Sequence, residues 1–207
     1  MGTMALVVVE GLREVPMAMK LLKTTGFGAF DESQVIVTGG CDPFWKKAPK
    51  YNRAAKVYGY VLGLTDLDRH PCPAALTEEK LCEPLHPNFL LRIQVRAIES
   101  WLLADEEAWV KCLRVAPKHV PRAPDDLADP KRELMNLLRK SRRAEIQRDV
   151  VLEPGRIGEK GPGISPSVRE FISEHWDADR AAQRSPSLAR ALRALRQAAA
   201  NAAGREG

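Results

Sequence analysis

Short apolar runs alternate with amphipathic segments over the first 113 residues of the chain. Residues 5–9, 34–38 and 59–65 are rich in β-branched side chains, a pattern typical of strands that are buried on both faces. Between them, residues 12–25 and 46–57 have the spacing of helices, and Gly26 and Gly28 are expected to end the first helix. The pattern predicts strands that follow one another through helices.

Residues 89–97 differ because apolar and polar positions alternate strictly. One face carries the apolar residues Phe89, Leu91, Ile93, Val95 and Ala97, and the other carries Arg92, Gln94 and Arg96. Such alternation predicts a half-buried strand near a sheet edge. An amphipathic helix is predicted over residues 98–113, with Trp101 and Trp109 facing inward.

The order of these elements predicts an α/β fold, with a mostly parallel sheet and helices on both faces. We assign residues 1–116 to this domain. Residues 117–207 contain a proline-punctuated linker, helices near 130–141, 167–175 and 186–200, and a Gly/Pro-rich loop over 154–166. This basic helical extension is expected to pack on the sheet domain, because an isolated helix is marginally stable in water.

The composition is that of a globular protein, with 44% hydrophobic and 29% charged residues. These values exclude a disordered chain and a collagen-like fibre. No apolar run reaches the roughly 20 residues needed to span a bilayer, and Glu10 interrupts the first apolar segment before it could serve as a signal peptide. We therefore expect a cytoplasmic protein with no membrane partner.

Positive charge is concentrated in the last third of the chain. The net charge is +5, but residues 1–130 hold 16 basic and 17 acidic side chains, whereas residues 131–207 hold 16 basic and 10 acidic ones. This asymmetry favours a polyanionic partner such as nucleic acid. The alternative is that arginine-rich helices simply reflect a GC-rich genome.

The four cysteines indicate little about function. Cys41, Cys72, Cys82 and Cys112 form no C-x-x-C pair and are expected to stay reduced. Two histidines, His70 and His86, lie near Cys72 and Cys82, but the spacing matches no common zinc site.

Three carboxylates follow predicted strands. Glu10 ends the first strand, and Asp66 and Asp68 end the third. Residues two apart on extended backbone point the same way, so the two aspartates are expected to converge while Leu67 turns into the core. Ligands of open α/β sheets bind at the carboxyl ends of the strands, and carboxylate oxygens are ligands that Mg²⁺ prefers. The alternative is that Asp66 and Asp68 cap the following turn. Because three clustered carboxylates would repel one another, their combination favours a Mg²⁺ or Mn²⁺ site.

These residues carry a resemblance to known proteins. The segments Val7-Val8-Val9-Glu10-Gly11 and Thr65-Asp66-Leu67-Asp68 resemble the TOPRIM domain of topoisomerases, primases and nucleases of the overcoming-lysogenization-defect type. The segments at 96–105, 129–131 and 185–188 resemble a prokaryotic TOPRIM-like family, domain of unknown function four-two-seven-six. The resemblance covers nearly the whole chain.

The resemblance implies roles for individual residues. Glu10 matches a general acid/base or metal ligand, and Asp66 and Asp68 match metal ligands. Glu14 occupies the place of a second acidic ligand, which is usually aspartate. Glu99 and Asp105 match acidic positions of the family, and Glu99 is included among the expected metal ligands. From the residues alone, Glu99 is equally explained as a favourable helix-start charge and Asp105 as an exposed side chain.

Together these features predict a Mg²⁺- or Mn²⁺-dependent phosphoryl-transfer enzyme, most simply a nuclease acting on DNA or RNA. We expect phosphate contacts from Lys46, Lys47, Arg142 and Arg143. The resemblance further implies a separately encoded ATPase partner and a role in phage defence, since the chain has no G-x-x-x-x-G-K motif. The alternative is a non-catalytic module that binds nucleic acid or docks to an ATPase.

Overall fold

A computed structural model of the chain describes residues 4–27, 30–143, 146 and 166–204. The four strands of these residues are β1 (Met4–Val9), β2 (Val35–Val37), β3 (Tyr60–Asp66) and β4 (Phe89–Gln94). The α-helices are α1 (Glu14–Thr25), α2 (Cys41–Tyr58), α3 (Pro73–Lys80), α4 (Ile98–Leu103), α5 (Glu106–Leu113), α6 (Pro130–Arg139), α7 (Pro166–Glu170), α8 (Ala178–Ala182) and α9 (Pro186–Ala203). A single π-helical turn, Phe171–His175, follows α7.

The strands form one parallel sheet in the order β2-β1-β3-β4. This confirms the predicted α/β fold with a mostly parallel sheet. Helix α1 ends where predicted, because Gly26 takes a left-handed conformation with a φ of 90° and its N–H donates to the carbonyl of Leu22. Gly28 lies outside the described residues. Parallel pairing brings the carboxyl ends of β1 and β3 to the same edge of the sheet, which positions the site described below.

Each face of the sheet packs in its own hydrophobic cluster. Alternate residues of β1 show this division, since Val7 and Val9 belong to one cluster and Val8 to the other. The Val8 cluster includes α2 and α3. The cluster of Val7 and Val9 includes α1, α4, α5, α6 and α9. Helices therefore cover both faces of the sheet at β1 and β3, as the apolar runs of these strands require. The prediction that residues 34–38 are buried on both faces was wrong, because β2 is an edge strand and Ile36 and Val37 are 37% and 38% exposed.

The prediction of a half-buried fourth strand was wrong. Strand β4 lies at a sheet edge as expected, but it ends at Gln94 and both of its faces are covered. Leu90 packs in the same cluster as α9, and Gln94 is completely buried. Sequence alternation misled here because helix α9, more than 90 residues later, packs against β4.

The predicted helix over residues 98–113 is two helices. Helix α4 ends at Leu103, and Asp105 begins α5 by accepting a hydrogen bond from the backbone N–H of Ala108 at 3.1 Å. Asp105 is 1% exposed, so its interpretation as an exposed residue was wrong. A capping aspartate inside an amphipathic pattern allows the chain to change direction without losing its buried face.

Helix α9 packs in the same cluster as strands β1 and β3. Its stripe of Leu188, Leu192 and Leu195 is buried there, as the leucine spacing indicated. Ser185 caps the helix by accepting from the N–H of Leu188. Residues from both sides of the predicted boundary at 116 thus share one core.

Residues 154–165 of the predicted loop lie outside the described part. None of the helices in that part is long and apolar enough to cross a membrane.

Candidate functional site

The side chain of Glu10 reaches from the end of β1 to the end of β3. Its Oε1 accepts a short hydrogen bond from the Thr65 hydroxyl and a second from the backbone N–H of Asp66 at 3.2 Å. Burial raises the pKa of Glu10, an effect that these hydrogen bonds partly offset and the charge of Asp68 reinforces. Glu10 therefore points toward the aspartates, as its position after a parallel strand predicts.

Glu14 lies beside Glu10 at the start of α1. Its Oε2 accepts a hydrogen bond from the backbone N–H of Gly11 at 2.8 Å. A Cβ atom on Gly11 would stand 3.3 Å from the same oxygen, so glycine permits this close approach. Burial raises the pKa of Glu14 to about 7, with a further contribution from the charge of Glu10. Glu14 therefore titrates near neutral pH.

Asp66 is the last residue of β3 and the centre of the carboxylate group. Its Oδ1 accepts a hydrogen bond from the backbone N–H of Ile98 at 2.9 Å, which ties the start of α4 to the strand end. Desolvation raises the pKa of Asp66 well above its ordinary value. The negative charges that add to this shift are those of Glu99, Glu14, Glu10 and Asp68. We call these five residues the acidic cluster.

Asp68 enters the cluster by a different geometry from the one expected. The interpretation of Asp66 and Asp68 as alternate residues of extended backbone was wrong, because β3 ends at Asp66 and Asp68 has a left-handed φ of 50°. Leu67 between them is buried in the core, as expected. Aspartate tolerates the left-handed conformation better than most residues. The Asp68 side chain is exposed at the open side of the cluster.

Glu99 is the member that carries a neutralising partner. It is 4% exposed, and its Oε1 lies 2.6 Å from Nη1 of Arg13. Glu99 also sits in the first turn of α4, so the favourable interaction with the helix dipole applies as well. The helix-start explanation of Glu99 is therefore confirmed, whereas its role as a metal ligand stays a prediction.

Three basic residues near the cluster were missed by sequence reasoning. Arg13 pairs with Glu99, and Arg96 Nη1 donates to the carbonyl oxygens of His70 at 2.6 Å and Asp68 at 3.3 Å. Burial raises the pKa of Cys41, whose thiol hydrogen-bonds Glu10, to about 12, and the charges of Glu10 and Asp68 add to this shift. The charge of Lys80 opposes it, so Lys80 acts on the same site. Arg13 follows Glu10 by only three residues, so its position near the site could have been predicted from the sequence. Arg96 and Lys80 are distant from Glu10 in sequence and come near the site only in the folded protein.

The predicted phosphate-binding residues fall in two places. Lys46 and Lys47 are exposed on α2, a helix that begins beside Glu10, since the N–H groups of Gly39 and Gly40 donate to the Glu10 carbonyl. The contacts of Arg142 and Arg143 are with the end of α5. The N–H of Arg142 donates to the carbonyl of Leu113 at 3.0 Å. These contacts do not link the second pair to the acidic cluster.

The donor chemistry of the cluster suits a hard divalent cation. All of its donors are carboxylates, and burial, reinforced by the neighbouring negative charges, raises the pKa values of Asp66 and Glu14. Within the described residues, however, no three His, Cys, Asp or Glu side chains stand close enough together to form a ready metal site. The cluster therefore fits an ion held by one or two carboxylates plus water and phosphate oxygens, which is usual for Mg²⁺.

Comparisons with known proteins add no identification. No protein-family model matches the chain, and neither the curated proteins nor the solved structures contain a match. The resemblance to TOPRIM-like proteins therefore stays a prediction from the motifs.

Proposed function

We propose that the protein is a Mg²⁺- or Mn²⁺-dependent phosphoryl-transfer enzyme, most simply a nuclease acting on DNA or RNA. The observation that carries the proposal is the set of four carboxylates acting on Asp66 at the carboxyl edge of a parallel sheet. Of the five members, Glu99 alone has an ion pair within the described part of the chain. Concentrated unpaired charge of this kind is costly for folding and is typical of a functional site.

In this proposal Asp66 and Asp68 hold the ion and Glu10 shares it or moves a proton. A bound ion would polarise the phosphate and lower the pKa of a coordinated water. Thr65 and the Asp66 N–H fix one Glu10 oxygen and orient the side chain. Its raised pKa brings Glu10 closer to neutral pH, where an acid/base group works best. Arg13, Lys80 and Arg96 reduce the repulsion between the cluster and a phosphate backbone.

The proposed wider role follows the motif resemblance. Members of the resembled type act with an ATPase, and this chain has no P-loop motif of its own. We propose a separately encoded ATPase as partner and phage defence as the setting.

The second candidate is a non-catalytic module that binds nucleic acid or an ATPase. It is favoured by the absence, within the described residues, of three side chains already placed around a metal. In this case the basic residues matter and the carboxylates do not.

The deciding experiment is a cleavage assay with plasmid, single-stranded DNA and tRNA, in Mg²⁺, Mn²⁺ or EDTA. We expect metal-dependent cleavage that Asp66→Asn abolishes and Glu10→Gln slows by about 10²–10⁴-fold. Binding in EDTA should persist or tighten in Asp66→Asn, because a repulsive charge is removed. The matched control is Asp179→Asn, an exposed aspartate paired with Arg196. Absence of metal-dependent cleavage by the parent would select the binding module, and cleavage by Asp66→Asn at the parent rate would show that the acidic cluster does not carry the activity.

A further inference from the structure

A cavity of about 400 Å³ lies along the free edge of β4, between α3 and α9. It takes residues from all three elements and from the loop before β4. The residues that matter for its chemistry are Pro73, Thr77, Leu85, Leu91, Arg92 and Arg190. A volume of this size lies within the range of small-molecule sites in proteins.

Arg92 projects from β4 into this cavity without a counterion. Its Nε is buried and has no hydrogen-bond partner, and no ion pair to Arg92 is present within the described residues. Burial lowers the pKa of the guanidinium. A desolvated cation without a partner is unfavourable for folding. Its presence at a cavity wall indicates that a ligand supplies the missing negative charge.

A second guanidinium lines the same cavity. Arg190 is exposed on α9, and the described residues include no ion pair for it. One carboxylate, Glu78, also lines the cavity but stands beyond ion-pair distance from both arginines. Both guanidiniums line one space, and guanidinium groups bind oxyanions, above all phosphate, through bidentate hydrogen bonds.

The remaining walls define the rest of the ligand. Pro73, Leu85 and Leu91 offer apolar surface. The hydroxyl of Thr77 already donates to the carbonyl of Pro73, and that of Ser187 accepts from the Trp101 indole. Polar recognition therefore falls to the arginines, whereas the apolar walls suit an organic group.

We propose that this cavity binds a small phosphate ester, with its phosphate between Arg92 and Arg190 and its organic part against Pro73, Leu85 and Leu91. The site is separate from the acidic cluster. No member of the acidic cluster is among the described residues that line the cavity. The proposal does not depend on the proposed function.

The first test measures binding of inorganic phosphate, AMP and adenosine by calorimetry in EDTA, where metal-bound phosphate cannot contribute. We expect saturable binding of AMP and phosphate and none of adenosine. Tighter binding of AMP than of phosphate would support a role for the apolar walls, and equal binding would support a phosphate site alone. Arg92→Met and Arg190→Ala should each weaken binding roughly tenfold or more.

Two variants serve as controls for this test. Arg193→Ala removes an exposed arginine of the same helix that lines a different surface depression, and it should leave binding unchanged. Asp66→Asn should also bind normally, which separates this site from the acidic cluster. Absence of saturable phosphate and AMP binding, or equal affinity in the Arg92 and Arg190 variants, would overturn the proposal.

The second test uses thermal unfolding. Relative to the parent, Arg92→Met should be more stable without ligand but should gain less stability from AMP. Without ligand, Arg92→Met should raise the melting temperature by about 2–4 °C, because it removes an unpaired, partly buried charge. At one fixed AMP concentration the parent should gain stability and Arg92→Met should gain clearly less. If Arg92→Met fails to fold, Arg190→Ala tests whether the loss of one arginine reduces the stabilisation by AMP, because Arg190 is exposed and its replacement should not disturb folding. An equal gain from AMP in parent and both variants contradicts the site.

Discussion

Two aspartates show how neighbours change the role of one residue type. The carboxylate of Asp105 accepts four hydrogen bonds, from the backbone N–H groups of Ala108 and Asp177 and from Nε and Nη2 of Arg180, at 2.7–3.1 Å. Asp66 accepts one, from Ile98, and has four other carboxylates acting on it. Asp105 is satisfied and paired, whereas Asp66 is surrounded by like charge.

The difference separates a structural carboxylate from a candidate chemical one. Arg180 joins α8 to the start of α5 through Asp105, so this pair links two segments of the fold. In the acidic cluster only Glu99 has such a pair within the described residues, with Arg13 at the start of α1, and the repulsion among the other four carboxylates opposes folding. The prediction is that one site stabilises the protein and the other reduces its stability until a cation binds.

The largest stability effect is expected at Asp105. Asp105→Ala should lower the free energy of unfolding by about 3–4 kcal/mol, because it leaves Arg180 and two backbone N–H groups without their acceptor. Urea denaturation measures this decrease. Asp179→Ala removes an exposed ion pair with Arg196 and should cost less than about 1 kcal/mol. Equal decreases in the free energy of unfolding of the two variants would show that the Asp105 pair is no more important for stability than an exposed ion pair.

A smaller effect of opposite sign is expected at Glu14. Its pKa is about 7 in the folded protein against an ordinary 4.5, so the native state binds more protons between these values. Its contribution to stability therefore falls as the pH rises from about 4.5 to 7, by at most about 3 kcal/mol.

Glu14→Gln should remove that pH dependence and stabilise the protein at pH 8, as measured by denaturation across a pH series. The matched control is Glu174→Gln at an exposed position, which should leave the profile unchanged. A parent profile that rises through this window would show that Glu14 is not protonated preferentially in the native state.

Asp66→Asn should stabilise the metal-free protein by about 1–2 kcal/mol at pH 8, since asparagine keeps the acceptor for Ile98 and removes the charge. Mg²⁺ should stabilise the parent by about 2.7 kcal/mol at 100 times its dissociation constant and should not stabilise the variant. Thermal unfolding with Mg²⁺ or EDTA measures both effects. A variant that gains as much from Mg²⁺ as the parent would place the ion elsewhere.

The smallest effects concern the exposed basic residues. Replacing Lys46 and Lys47 with alanine should weaken nucleic-acid binding evenly across sequences and reduce the salt slope by about 1 for each phosphate that a lysine neutralises in the parent. Arg142→Ala should change the slope less, because its contacts are with the end of α5. Filter binding over a salt series distinguishes the pairs. A larger change of the salt slope in Arg142→Ala would indicate that the nucleic acid binds near the end of α5.

The parts of the site that could be predicted from sequence depend on local pattern. Glu10 and Asp66 follow β-branched runs, and parallel pairing of such runs necessarily brings their carboxyl ends to one edge. Glu14 could be predicted as a site residue from its spacing of four residues from Glu10. Arg96 and Lys80 gave no such signal, since they approach the cluster through contacts made only in the fold.

Sequence alone determined the four strands and most of the helices, because alternation and helical spacing are set by neighbours a few residues away. Tertiary structure decided which carboxylates are neutralised. Arg13 meets Glu99 across 86 residues, and Arg180 meets Asp105 across 75. It also decided that Gln94 is buried and that Arg92 lines a cavity, because helix α9 covers β4. Hydrophobic periodicity indicates which side of a helix or strand is buried, but it does not indicate which distant segment of the chain packs against that side.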